Sequence, residues 1–181
     1  MWPHTVAILI GGQSKRMGAP KHLVTLSNGR TMLEVMIEFA HSLAKQTVII
    51  GGEIEGQTCI QDLRNQHGPV GGIEALLNSN IDSNYLVIGC DMPTLCEKDI
   101  LPLLTTDDCT AFSCENKILG LPLHINKNAS KVCTSYLDAG GRSIKGLISK
   151  IPHKIICINE NQSSILQSVN SREDLDKLAF E

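Results

Sequence analysis

Glycines and basic residues are concentrated near the N-terminus of the chain, directly after an apolar run. Residues 5–10 are mostly apolar and are followed by the segment GGQSKRMGAPK at 11–21. Glycines let a backbone approach phosphate oxygens and leave its N–H groups free to donate to them. The cations Lys15, Arg16 and Lys21 can offset the charge of a nucleoside triphosphate. This composition predicts a polyphosphate site, although a tight turn beside a solvated face would use the same residue types.

A carboxylate follows the clearest interior strand of the sequence. The apolar run 85–90 ends at Asp91, and Pro93 comes soon after it. Because proline cannot donate to a strand ladder, Asp91 is expected at the carboxyl end of this strand. A second carboxylate, Asp62, follows a shorter strand predicted at 58–61. Either aspartate could instead bond only to its own turn, which is the commoner role of Asp at a strand exit.

Strands and helices alternate along the chain. The pattern predicts strands at 5–10, 47–50, 58–61, 85–90, 109–114, 119–125 and 154–158, and helices at 31–44, 70–77, 97–104, 129–137, 143–149 and from 171. Since parallel strands need crossover connections, the sequence predicts an α/β fold with a mostly parallel central sheet covered on both faces. Ligands of such folds bind beyond the carboxyl ends of the strands, so the glycine loop and Asp91 should share one edge.

Composition limits the classes of protein that this chain can represent. The 181 residues are 42% hydrophobic and 19% charged, which suits one globular domain over 1–181. The net charge of -3 provides no basic field for nucleic acid, and no apolar run approaches the roughly 20 residues that span a bilayer. The seven cysteines form no CxxC pair and the N-terminus has no signal pattern, so we expect a cytoplasmic protein with reduced thiols.

The glycine loop departs from two common phosphate-binding motifs. Gly18 is not followed by the Lys-Ser/Thr pair of a P-loop, and Gly11-Gly12 breaks the GxGxxG spacing, which disfavours a P-loop NTPase and a dinucleotide dehydrogenase. The loop instead resembles the GGxSxRMGxxK signature of the nucleotidyltransferases that share a Rossmann-like fold with sugar-nucleotide pyrophosphorylases. The matching residues are Gly11, Gly12, Ser14, Arg16, Met17, Gly18 and Lys21.

Within that superfamily the chain resembles the MobA-like molybdenum cofactor guanylyltransferases over essentially its whole length. The matching blocks are residues 9–21, Asp62 with 68–72, 91–93, 140–143 and 169–175. The resemblance implies a Rossmann-like, three-layer nucleotidyltransferase fold. It also implies transfer of GMP from GTP to molybdopterin or molybdenum-loaded molybdopterin, with release of pyrophosphate. Transient contacts with other enzymes of cofactor biosynthesis, or with acceptor enzymes, would accompany that role.

The resemblance further implies which residues hold the nucleotide. The backbones of Leu9, Ile10, Gly11 and Gly12 would hold the purine and the adjoining phosphate of GTP. Asp62 would contact the nucleotide through its carboxylate. Base choice would then be largely a matter of main-chain donors and acceptors.

Three residues are implied to serve the reaction itself. Asp91 would bind a Mg²⁺ ion together with the nucleotide, since magnesium prefers hard oxygen ligands. Lys21 would contact the triphosphate, and Arg16 and Lys21 would neutralise the leaving pyrophosphate. Because the attacking phosphate is already an anion, alignment and charge neutralisation are sufficient and no general base is assigned.

Two positions depart from the family pattern, and three others have two possible roles. Gly51 stands where the family often has Asn, and Pro20 brings the loop closer to the MGxPK pattern of molybdopterin cytidylyltransferases. Cytidylyl transfer, transfer to another small phosphorylated acceptor and a non-catalytic nucleotide or cofactor carrier therefore stay open. Arg142 and Ser143 either contact a molybdopterin phosphate or begin a capped helix, and Asn170 either faces the metal site or caps the last helix.

Overall fold

The computed structural model describes residues 1–11 and 20–176. Within this part of the chain, seven strands form a single sheet. They are β1 (Trp2–Leu9), β2 (Ala44–Ile50), β3 (Cys59–Ile60), β4 (Asn84–Gly89), β5 (Thr110–Cys114), β6 (Lys117–Asn126) and β7 (Lys154–Cys157). Their order across the sheet is β3-β2-β1-β4-β6-β5-β7. The predicted strands are all present, with β1 beginning three residues earlier than expected.

The sheet is mostly parallel, as predicted, but one strand runs the other way. The strands β1, β2, β3 and β4 pair in parallel, and so do β5 and β7. The strand β6 is antiparallel to both of its neighbours. Only Glu115 and Asn116 separate β5 from β6, and both have positive φ, 49° and 61°. Such a two-residue turn joins antiparallel strands and is too short for a crossover.

Helices occupy both faces of this sheet. They are α1 (Met32–Leu43), α2 (Gly68–Asn78), α3 (Glu97–Leu104), α4 (Ser130–Asp138), α5 (Ile144–Ile148), α6 (Glu160–Ile165) and α7 (Arg172–Asp176). The predicted cap of α1 is confirmed, because Thr31 Oγ1 accepts from the Glu34 amide at 3.2 Å while the Glu34 carboxylate accepts from the Thr31 amide at 2.7 Å. Helix α6 was not predicted; it is short and polar, and its signal is a capping box between Asn159 and Gln162.

Two hydrophobic cores lie on opposite faces of the sheet, which gives the predicted three layers. Alternate residues of β1 point to opposite faces, so Ala7 packs with α2, α4 and α5, while Val6 and Ile8 pack with α1 and α3. All three side chains are fully buried. Burial of one large aliphatic side chain such as Ile8 stabilises the fold by about 1.5–3 kcal/mol.

The carboxyl ends of three neighbouring strands meet at one edge of the sheet. Leu9 of β1 is in register with Ile50 of β2 and with Gly89 of β4. The helix after β1 covers one face and the helix before β4 covers the other. This change of face opens a crevice beyond β1, where ligands bind in open α/β sheets. In the part of the chain that the structure describes, no helix has the length and apolar composition needed to cross a bilayer.

Candidate functional site

A cleft opens beyond the carboxyl ends of β1 and β2, against the start of α2. Its volume is about 290 Å³, and its lining residues are Leu9, Ile10, Gly11, Gly51, Asp62, Gln66, His67, Gly68 and Pro69. The predicted nucleotide residues Leu9, Ile10, Gly11 and Asp62 are thus brought together at one wall. Gln66 and His67 were not singled out from the sequence, because they lie in an irregular loop without a motif.

Backbone rather than side chains forms the floor of the cleft. Gly51 has a φ of 83°, and a Cβ at this position would collide with the carbonyl oxygen of Ile10. Gly11 has a φ of 120°, and its Cβ would come within 3.2 Å of the Gly51 carbonyl oxygen. The ends of β1 and β2 therefore pack main chain against main chain, and this close approach requires glycine. The departure from Asn at position 51 has a structural reason in this chain.

The sheet already uses some of the backbone groups that line this floor. The amide of Ile10 donates to the Ile50 carbonyl at 2.9 Å, and the carbonyl of Leu9 accepts from the Cys90 amide at 3.1 Å. These bonds do not involve the carbonyls of Ile10 and Gly11, two residues that also line the cleft. Which backbone N–H and C=O groups the sheet uses depends on pairing between strands, and the local sequence does not specify that pairing.

Asp62 presents its carboxylate to the cleft beside the start of α2. Its two oxygens lie 3.7 and 3.5 Å from the positions that side chains at Gly71 and Gly72 would occupy, so it faces the first turns of α2. Loss of water on this side raises the pKa of the Asp62 carboxyl. No described residue donates a hydrogen bond to it, in contrast to most carboxylates packed against a helix. It is therefore available to accept from N–H or O–H groups of a ligand.

A cluster of one cation and two oxygens lies beyond β4. The ammonium of Lys21 donates to Asp91 Oδ2 at 2.5 Å and to Asn170 Oδ1 at 2.6 Å. The Lys21 and Asp91 side chains are only 17% and 15% exposed, so water screens this pair weakly. Asp91 lies at the carboxyl end of its strand, as predicted, and Lys21 lies in a short 3₁₀ turn, Lys21–Leu23.

Two further residues hold Asp91 in place. Its carbonyl accepts from the Val169 amide at 2.8 Å, which ties the end of β4 to the segment before α7. Its other carboxylate oxygen, Oδ1, lies 2.5 Å from the position that a Cβ on Gly89 would occupy. A larger residue at 89 would displace the carboxylate. Gly89 was not predicted as part of the site, although a glycine inside an interior strand is itself a signal of close approach.

Asn170 faces the cluster, and the residue after it caps the last helix. Ser171 Oγ accepts from the Asp174 amide at 3.1 Å, while Asp174 Oδ2 accepts from the amides of Asn170 and Ser171, both at 2.9 Å. This capping box fixes the Asn170 backbone and leaves its side-chain oxygen on Lys21. Of the two interpretations of Asn170, the structure thus supports a position beside Asp91.

The donor set of this cluster fits a magnesium ion. Asp91 Oδ2 and Asn170 Oδ1 are hard oxygen atoms that already converge on one cation, the Lys21 ammonium. No group of three or more His, Cys, Asp or Glu side chains suited to a metal occurs among residues 1–11 and 20–176. A single carboxylate supplemented by substrate phosphates and water is a usual arrangement for Mg²⁺.

Cys90 lies between the strand and Asp91 and is only 3% exposed. Burial, reinforced by the neighbouring Asp91 charge, raises the pKa of the Cys90 thiol to about 12. The thiol is therefore neutral at physiological pH, and a thiolate is the reactive form of cysteine. Covalent catalysis through this residue has no support in the geometry.

Other residues proposed from the sequence have separate outcomes. Gly12 and Arg16 lie outside the described residues, so their roles stay predictions. The Arg142 guanidinium donates to the carbonyls of Leu137 and Gly141, at 3.0 and 2.7 Å, and Ser143 Oγ caps α5 through the Gly146 amide at 3.1 Å. Arg142 and Ser143 thus serve local helix ends, while the Arg142 carbonyl lies near the start of α2.

The sheet order, the crevice beyond β1 and the cluster of Lys21, Asp91 and Asn170 define a nucleotidyltransferase-like α/β protein. Residues 6–153 match the family described as "MobA-like NTP transferase domain". The chain belongs to this family. The matched region includes the second half of β1, all of β4, Asp62 and Asp91, and therefore the cleft and most of the cation cluster.

Curated relatives align with nearly the whole chain. A protein of Flavobacterium johnsoniae, named "Probable molybdenum cofactor guanylyltransferase", is 28% identical over 96% of this chain and 95% of its own length. The molybdenum cofactor guanylyltransferase of Xanthomonas euvesicatoria is 27% identical over 99% of this chain and 96% of its own length. A crystal structure of molybdopterin-guanine dinucleotide biosynthesis protein A from Archaeoglobus fulgidus has a TM-score of 0.78 at 20% identity, covering 96% of each chain, and shows the same fold.

Proposed function

We propose that this chain transfers GMP from GTP to the terminal phosphate of molybdopterin, or of its molybdenum-loaded form, with release of pyrophosphate. The observation that carries the proposal is the position of two complementary features at one sheet edge. The cleft begins at the end of β1, and the Lys21–Asp91 pair lies beyond the adjacent β4. The names of the full-length relatives provide the substrates of the proposal.

The nucleoside part of GTP would occupy the cleft. Its floor offers the backbone carbonyls of Ile10 and Gly11, and its wall offers the Asp62 carboxylate, to which no described residue donates a hydrogen bond. A guanine edge presents N–H donors and a ribose presents hydroxyl donors, and either complements a partly desolvated carboxylate. Asp62 would therefore favour nucleosides with donors at this position.

The triphosphate would extend from the cleft toward Lys21 and Asp91. The Lys21 ammonium would exchange its contacts with Asp91 and Asn170 for phosphate oxygens, which carry more charge. Arg16 would add a second cation to the leaving pyrophosphate. Asp91, with Asn170 beside it, would hold a Mg²⁺ ion, and this ion would supply charge neutralisation at the phosphates.

The chemistry of the proposed reaction is one phosphoryl substitution. An oxygen of the molybdopterin phosphate forms a bond to the α-phosphorus of GTP, and the bond from that phosphorus to the bridging oxygen of the β-phosphate breaks. The nucleophile is an anion before it attacks, so the protein needs no proton acceptor. The residues of this site would act by alignment and by stabilising charge on the leaving pyrophosphate.

A transfer assay with four nucleotides tests the proposal. The wild-type protein is incubated with molybdopterin, magnesium and α-phosphate-labelled GTP, CTP, ATP or UTP, and both pyrophosphate and the labelled dinucleotide are measured. We expect the dinucleotide product with GTP and none when EDTA removes the metal. A preference for CTP would identify a cytidylyltransferase, an outcome that Pro20 makes relevant. Transfer to a sugar phosphate, or GTP binding without pyrophosphate release, would reject the proposed acceptor or the proposed turnover.

A further inference from the structure

The loop that joins β3 to α2 carries several side chains of the cleft but has no regular structure of its own. Asp62, Gln66 and His67 belong to this loop, residues 61–67. His67 Nδ1 donates to the Asn65 carbonyl at 2.7 Å, so this contact remains within the loop. Among the described residues of 62–67, Arg64 is the one whose side chain forms a hydrogen bond or ion pair with another helix or strand, while Gln61 at the start of the loop donates to Glu53 Oε1 at 2.6 Å.

Arg64 reaches a buried carboxylate on α2 and an exposed one at the end of α4. Its Nε lies 2.9 Å from Glu74 Oε2, and its Nη1 donates to Asp138 Oδ1 at 2.5 Å. Glu74 is only 2% exposed, and its other oxygen accepts from Thr134 Oγ1 at 2.9 Å. A buried carboxylate requires a cation or several donors, so Glu74 is a strong anchor for Arg64.

Arg64 neutralises the buried Glu74 charge, but joining α2 to α4 does not explain why the cation comes from the 61–67 loop. Helices α2 and α4 are already joined by the Glu74–Thr134 hydrogen bond and by apolar contacts in one core, including Val70 and Cys133. Arg64 is not needed to join them. Its additional effect is to fix the irregular loop, two residues from Asp62 on one side and two from Gln66 on the other.

We propose that Arg64 is the positioning residue of the nucleotide cleft, acting through Glu74 and Asp138 to hold the 61–67 loop, and with it Asp62, against α2. This inference rests on the proposed binding of GTP in the cleft. Nη1 of the planar guanidinium donates to Asp138 while its charge pairs with Glu74 Oε2, which accepts no hydrogen bond from a described residue; an ammonium, in contrast, is a single point charge. The loop is therefore held in one orientation before the nucleotide arrives, which lowers the cost of binding.

The test compares variants that separate positioning from stability. Arg64→Met alone leaves the Glu74 charge buried and is expected to lower the melting temperature. In the double variant Arg64→Met/Glu74→Gln the buried charge is removed while an amide oxygen remains for Thr134, so stability should be recovered. Arg64→Lys is the conservative variant. Lys154→Met is the matched control, since Lys154 pairs with Asp108 at 2.6 Å in an exposed contact outside the cleft.

The readouts are the Kd and KM for Mg²⁺-GTP, kcat, the melting temperature, and hydrogen exchange of residues 61–67. We expect the double variant to bind GTP about tenfold more weakly, with KM raised in proportion and kcat changed by less than about twofold. Hydrogen exchange of residues 61–67 should be faster in the double variant than in wild type. The Kd and exchange rate of Arg64→Lys should lie between those of the double variant and wild type. Those of Lys154→Met should equal the wild-type values.

Two results would overturn the inference. One is a double variant that binds GTP as tightly as wild type once its stability is recovered, since the ion network would then serve the fold alone. The other is unchanged hydrogen exchange in 61–67, which does not depend on the ligand. If wild type itself fails to bind GTP, the proposed function fails, and the exchange measurement still decides whether Arg64 holds the loop.

Discussion

The two ends of the strands β1 and β4 both carry polar side chains, and within the described part of the chain these side chains differ in how their hydrogen bonds are satisfied. At the amino end, Asp82 accepts from His4 Nδ1 and Thr5 Oγ1, each at 3.1 Å, and its carbonyl accepts from Tyr85 Oη at 2.7 Å. At the carboxyl end, Asp62 has no donor among the described residues. The two ends of one sheet therefore have different roles.

The contrast separates polar groups that stabilise the fold from those that can exchange partners. The partly buried hydrogen bonds around Asp82 already use its carboxylate, and each such bond stabilises the folded chain by about 1 kcal/mol. At the other end, the Lys21 ammonium is shared between Asp91 and Asn170, and a phosphate can replace either oxygen. Substitutions should consequently affect stability at the amino end and activity at the carboxyl end.

The largest effect on activity is expected for Asp91→Asn. The amide keeps the shape of the carboxylate above Gly89 but loses the charge that would hold magnesium. Turnover in the pyrophosphate-release assay should fall by about 10²–10³-fold, the range seen when one electrostatic contact to a reacting group is lost. The melting temperature should change little. Asp108→Asn, at an exposed ion pair, is the control. Retention of wild-type turnover would remove Asp91 from the reaction.

The largest effect on stability is expected for Asp82→Ala. This substitution removes the acceptor of His4 and Thr5 and of the amides of Ser83 and Asn84. The free energy of unfolding, measured with urea, should fall by about 2–3 kcal/mol because the buried Thr5 hydroxyl and three partly buried donors lose an acceptor. The KM for GTP should remain at the wild-type value. Asp107→Ala, at an exposed position, is the control, and a large rise in KM for Asp82→Ala would contradict the division between the two ends.

A smaller, pH-dependent effect is expected from His124, also at the amino end. Burial lowers the pKa of His124 below its ordinary value of 6.5, and its Nδ1 donates to the Asp108 carbonyl at 2.8 Å. The unfolded chain thus binds a proton at a pH where the folded chain does not. The free energy of unfolding should therefore fall as the pH drops below about 6.5 and level off only below the folded-state pKa.

The variant His124→Asn keeps an N–H donor for Asp108 but does not titrate. Its stability should depend less steeply on pH between 6.5 and 5, by up to about 1.4 kcal/mol per pH unit. Urea titrations at several pH values measure this slope, with His41→Asn at an exposed position as the control. An unchanged slope would show that His124 does not link protonation to folding.

Much of the fold could be predicted because its signals are local. Mostly apolar runs marked β1 and β4, Thr31 marked the start of α1, and Pro93 placed Asp91 at a strand end. The reversed direction of β6 depended on a two-residue turn at Glu115 and Asn116, which has no glycine to mark it. The short helix α6 lacked an apolar stripe.

The site was predictable where its residues belong to strand ends, and less so where distant segments meet. Asp91 and Lys21 were both expected at the same edge, but the contact of Asn170 with Lys21 joins residues 149 positions apart. The Arg64–Glu74 contact had no local signal, because an arginine in a loop and a glutamate in a helix are common on protein surfaces. Only the burial of Glu74 distinguishes this contact from an ordinary surface ion pair, and that burial depends on how the helices pack.

The sequence by itself determined the alternation of strands and helices, the glycine turn after β1 and the carboxylate after β4, since backbone preferences and apolar periodicity act over a few residues. Tertiary structure alone decided which backbone groups of Leu9 and Ile10 the sheet uses, why position 51 must be glycine, and which carboxylates keep a free face. Those properties depend on hydrogen bonds and close approaches between segments far apart in the chain, and a linear pattern of residue types does not encode which distant groups will meet.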